Sequence, residues 1–154
     1  MSKAVLGGTF DHLHDGHKAM LITAFQNAEH VVIGITTDER ANESRFRDVI
    51  SLPKRKYAVR DECKTLRNVF GSDFEITEID SAEDVVLEID ADYIIMSPED
   101  KVQERVERIN EKRRDNGRDT LEGIEAPLVT DCYGEKISST MISLGKINEH
   151  GEKT

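Results

Sequence analysis

The chain has 154 residues, the length of one domain, and a chain of that size buries roughly 70% of the surface its unfolded form exposes. Aspartate and glutamate number 31 against 21 lysines and arginines, a formal net charge of −10, which disfavours nonspecific binding to nucleic acid or to an anionic membrane. Apolar residues make up 37%, enough for a modest core without a disulfide framework.

In chain order, a short apolar strand at 4–6 runs into Gly7-Gly8 and is followed by a helical pattern over 17–28. A second buried strand is expected at 31–35 and a long helix at 54–70. The segment 74–79 alternates, with Phe74, Ile76 and Ile79 among acidic residues, as an edge strand does. A short helix over 81–88 has Ser81 as its N-cap, and the apolar run 93–96 reads as a fourth strand. Val102, Val106 and Ile109 recur at helical spacing within 101–116, and Gly117 is placed to end that helix. A fifth strand is expected at 124–129. Strands alternating with amphipathic helices define an α/β fold, a doubly wound, parallel, five-stranded sheet with helices on both faces. One domain spans 1–147, and the polar residues 148–154 read as a flexible tail.

Cys63 and Cys132 match no zinc or redox spacing and read as ordinary thiols. No run approaches the roughly 20 apolar residues of a membrane span, and the opening stretch is too short for a signal peptide. A cytoplasmic protein with no membrane or nucleic-acid partner is expected. No leftover apolar stripe marks an interface, so the oligomeric state stays open.

The first strand leads into Gly7-Gly8-Thr9-Phe10-Asp11-His12-Leu13-His14-Asp15-Gly16-His17. Glycine lets phosphate approach the main chain, and the amides at a helix start attract anions. His14 and His17, three apart around Gly16, can donate ring hydrogens to the same phosphate oxygens. Singly, each reads as a helix cap or a surface residue; the run as a whole points to a phosphate site. Late in the chain Ser138-Ser139-Thr140 follows Ile137. Alone it is a helix cap, but after the fifth strand it faces the first motif across the sheet's switch point.

These residues resemble the nucleotidyltransferases with an HxGH signature, whose pattern G-T-F-D-x-L-H-x-G-H is matched by Gly8 to Asp11, Leu13, His14, Gly16 and His17. The family's second signature, I-S-S-T-x-I followed by arginine, is matched from Ile137 to Ile142, but Ser143 stands at the arginine position. Lys146 is the neighbour considered as a replacement. Within the family the chain resembles the archaeal and eukaryotic phosphopantetheine adenylyltransferases. Gly7-Gly8 before Thr9, Ser97-Pro98-Glu99, and Ile109-Asn110 with Arg113 carry that likeness.

The resemblance implies a Rossmann-like fold and transfer of AMP from ATP, with Mg²⁺, to 4′-phosphopantetheine. His17 and His14 would be catalytic. Gly8, Thr9, Phe10, Gly16, Ser138, Ser139 and Thr140 would bind the nucleotide and its phosphates, with no protein side chain on the metal. Thr9 with Arg45 or Arg47 would meet the acceptor's phosphate. Arg55 lies in a Pro-x-Arg context that reads as structural. The alternatives are a cytidylyltransferase or FAD synthetase of the same family, or a noncatalytic nucleotide-binding module. Because both substrates are polyanions, the net positive windows 45–67 and 101–118 are expected to form a basic rim around the cleft.

Overall fold

The structure, a computed structural model, describes residues 1–39, 49–99 and 101–154. Five parallel strands lie in the order β3-β2-β1-β4-β5. They are β1 (Lys3–Gly8), β2 (His30–Thr36), β3 (Asp73–Ile79), β4 (Tyr93–Met96) and β5 (Glu122–Glu125). The described helices are α1 (Asp15–Asn27), α2 (Leu52–Phe70), α3 (Ala82–Glu88), α4 (Val102–Asp115) and α5 (Ser139–Ser143). β3 is an edge strand, as its alternating pattern predicts.

Successive residues of the central strands point to opposite faces, so β1 and β2 feed two cores. Ala4, Leu6, Val31 and Ile33 pack with Leu21 and Phe25 of α1 and Val59, Cys63 and Leu66 of α2. Val5 and Val32 pack on the other face with Val85 of α3 and Val102, Val106 and Ile109 of α4. Burial pushes the Cys63 thiol up to about 12, which leaves it inert.

α4 ends where its sequence says it should. Gly117 takes the left-handed conformation (φ 72), and its amide donates to Arg114 O. Near that end Arg113 is fully buried and donates to the carbonyls of Val86, Ile89 and Asp119. Asn110 and Leu121 exchange two hydrogen bonds of 2.9 and 2.7 Å. Asn110 and Arg113, two of the residues that carry the family likeness, thus hold α4 to the loops around β4 and β5.

Two expectations are corrected. β5 covers Glu122–Glu125 rather than 124–129. The ladder continues through one bond, Ala126 N to Met96 O, and then meets Pro127, which has no amide to donate. Residues 148–154 are also not a frayed tail. Ile147 is buried and bridges Lys153, Asn148 N donates to Glu152 O, and Cys132 N donates to Gly151 O. A polar composition suggested fraying; hydrogen bonding of the backbone decides it.

Candidate active site

β1 ends in a turn that the chain bends twice into the left-handed region, at Phe10 (φ 54) and His12 (φ 48). Such conformations cost roughly 1–2 kcal/mol for a residue with a Cβ, so the surroundings must hold them. Phe10 is buried, with its ring 5.3 Å from that of His17. The Asp11 carboxylate accepts from Ile50 N at 2.9 Å. Arg55, 1% exposed, reaches from α2 to the carbonyls of Thr9, Thr36 and Ile50 and to Asp38 Oδ1. Its guanidinium ties the turn after β1 to the end of β2, the structural role its sequence context suggests.

The turn delivers His14 as the N-cap of α1. His14 Nδ1 accepts from the amides of Gly16 (3.1 Å) and His17 (3.3 Å), and His17 Nδ1 accepts from His14 N at 3.2 Å. This is a reciprocal capping box with imidazoles in place of the usual hydroxyl and carboxylate. Since each Nδ1 accepts, each neutral ring carries its hydrogen on Nε2. The rings stack 3.7 Å apart at 16°. Burial pushes His14 down to about 4, against the pull of Asp15 and assisted by the charge of Lys136, so it is neutral at pH 7. Gly16 permits this packing, because a Cβ there would come within 2.9 Å of both His14 Cε1 and Ile137 Cγ2.

The amides offered to an anion by the sequence reading are therefore engaged. Gly16 N and His17 N serve His14, and Asp15 N donates to Glu149 O of the C-terminal segment. What α1 presents instead is a pair of imidazole N–H groups.

The second motif follows a tight hairpin in which Thr130 bridges Lys136. Asp131 Oδ1 accepts from the amides of Tyr133 and Glu135 in that hairpin. Buried Ile137 anchors the exit. Ser138 caps α5, accepting from Met141 N at 3.2 Å, and its hydroxyl keeps a hydrogen to donate. Ser139 Oγ donates to Asp11 O, joining the second motif to the first. Thr140 is exposed, as are Ser143 and Lys146.

Between the two motifs lies a cleft of about 440 Å³ at the carboxyl ends of β1 and β4. The strand order reverses between these two strands, the place where open α/β sheets bind ligands. His14, Gly16, His17 and Ser138 line it, opposite Ser97 and Pro98 after β4. Gly8, Thr9, Phe10, Ser139 and Thr140 are not among the residues that line it; the Phe10 ring lies beside that of His17, and Ser139 bonds to Asp11 O. Arg45 and Arg47 lie outside the described residues. Sequence reasoning missed Lys136, which lines the cleft and donates to Ser97 Oγ at 2.6 Å. No motif marks it; only its place one residue before Ile137 could have.

None of the described lysines and arginines of the two positive windows lines the cleft. Arg55 and Arg113 turn inward. Lys56, Arg105, Lys112 and Arg118 pair with Glu78, Glu99, Glu83 and Asp90, and Arg67 lies over the Phe74 ring. Helices antiparallel to their strands carry half of any charged window away from the ligand edge.

Residues 5–144 match the model of the cytidylyltransferase-like family, and the chain belongs to that family. A relative from Methanosarcina barkeri named phosphopantetheine adenylyltransferase is 36% identical, covering 98% of this chain and 92% of its own. One of the same name from Methanopyrus kandleri is 37% identical, covering 96% and 91%. The crystal structure of a protein of unknown function from Archaeoglobus fulgidus superposes with a TM-score of 0.64 at 26% identity, covering 100% of both chains.

Proposed function

We propose that this protein transfers AMP from ATP to 4′-phosphopantetheine, giving dephospho-coenzyme A and pyrophosphate. The locked pair of Nε2–H imidazoles at the cleft carries the reaction class, and the substrates follow from the full-length relatives. An oxygen of the acceptor's phosphate attacks the α-phosphorus, and the bond from that phosphorus to the β-phosphate's bridging oxygen breaks. The attacking oxygen is already ionised at pH 7, so no general base is needed. Catalysis then consists of alignment and of stabilising charge on the five-coordinate phosphorus.

His17 donates to the α-phosphate as charge builds, and His14, neutral and fixed, donates beside it. The Ser138 hydroxyl, with Thr140 at the next turn, holds the β- and γ-phosphates. Ser139, its hydroxyl spent on Asp11 O, positions the motif instead. Thr9 and either Arg45 or Arg47 meet the acceptor's phosphate. Mg²⁺ bound with ATP would neutralise charge on the leaving pyrophosphate. The donors that line the cleft (imidazole, hydroxyl and ammonium) suit phosphate oxygens rather than a cation. Among the described residues no group of three or more His, Cys, Asp or Glu gathers to hold one.

The partners are these small molecules and the location the cytoplasm. No helix of the described residues is long and apolar enough to cross a membrane. Incubation with ATP or CTP and each candidate acceptor, with pyrophosphate as readout, tests the reading. Release is expected with ATP and 4′-phosphopantetheine; release with CTP alone overturns it.

A further inference from the structure

We propose that Lys136 is the cation that grips the β- and γ-phosphates of the nucleotide and stabilises the departing pyrophosphate. It is the one lysine or arginine among the described residues lining the cleft, and no carboxylate lines it. Its ammonium spans from the second motif to Ser97 after β4, a neutral hydroxyl at 2.6 Å. Lys18, Lys56 and Lys112 sit against carboxylates; Lys136 makes no ion pair among the described residues. Its positive charge therefore has no carboxylate partner among the described residues and faces a cleft that also presents the His14, His17 and Ser138 side chains, an arrangement that draws in and orients a polyanion.

The base of the side chain is held in place. Lys136 closes the Asp131 hairpin by its bridge to Thr130, and Ile137, buried next to it, donates its amide to Val129 O. The ammonium can thus exchange Ser97 for phosphate without the backbone moving. It adjoins Ser138, on the side of the cleft assigned to the β- and γ-phosphates, rather than Thr9. Ser143, at the position where the signature has arginine, is exposed and not part of the cleft wall, and the same holds for Lys146. Lys136 supplies from the N-terminal side of the motif the charge that Ser143 lacks.

The proposal rests on the nucleotide reading above but not on the identity of the acceptor, so binding is measured without acceptor. Calorimetry with Mg²⁺ and inorganic pyrophosphate, ATP or AMP compares the unaltered protein with Lys136→Met and Lys136→Arg. Pyrophosphate and ATP should weaken about 10- to 100-fold in Lys136→Met, as for one charge-assisted hydrogen bond. AMP affinity and melting temperature should stay as they were, and Lys136→Arg should restore most of the loss. Unchanged pyrophosphate affinity in Lys136→Met overturns the proposal. So does equal loss of AMP and pyrophosphate with a lowered melting temperature, which would make Lys136 a structural brace. If the unaltered protein binds neither ATP nor pyrophosphate, the nucleotide reading itself falls and Lys136 with it.

Discussion

The two motifs that flank the cleft are built on different principles. The first is locally closed: three hydrogen bonds among His14, Gly16 and His17 fix both imidazoles within four residues of chain. The second is held from a distance, by Ser139 to Asp11 across 128 positions and by the C-terminal segment docked under its hairpin. Short-range closure suits the groups that must meet the reacting phosphorus with least freedom. A motif held by long-range contacts depends instead on how firmly the distant segments brace it.

Substitutions should separate the two. His17→Ala removes one oriented donor and should lower turnover by about 3–4 kcal/mol, as for one oxyanion donor, with the fold kept. Single-turnover kinetics and a melting curve check this, and near-normal turnover would show that the first motif is only a cap.

The next effect is on stability. The folded His14 is held neutral down to about pH 4, whereas in the unfolded chain it protonates near 6.5. As pH falls from 6.5 to 4 the unfolded state gains a proton that the folded state does not, so stability is lost, by about 3 kcal/mol over that window. Denaturant titrations at several pH values should show this slope. His14→Asn, which still caps a helix, should flatten it.

Ser139→Ala breaks the brace between the motifs and should cost about 1 kcal/mol, with a rise in the Michaelis constant for ATP larger than any change in turnover. An equal loss in turnover would mean that the second motif also shapes the reacting centre. The smallest effect is expected at the C-terminal segment, where His150 Nδ1 lies 3.0 Å from Asp15 Oδ1 with both side chains partly exposed. His150→Ala should cost at most about 1 kcal/mol, read as a melting shift that shrinks in high salt.

The division between what was legible in the chain and what was not follows the range of the interactions. The buried strands, the Gly117 stop, the histidine cap and both signatures depend on neighbours a few residues away, so spacing and residue type display them. Pro127 was also visible, and reading it strictly would have ended β5 earlier. The amides of α1 looked available because a linear motif does not show that His14 turns back on its own helix.

By itself, then, the sequence determined the fold class and displayed the residues of the two motifs, since local propensity and pattern act over short stretches. Only the tertiary structure decided that Arg55 braces the turn after β1, that residues 148–154 are tied down and that Lys136 rather than a basic rim faces the cleft. Each of these depends on partners brought together from distant parts of the chain, and charge placed along a helix does not reveal which of its ends reaches the ligand edge.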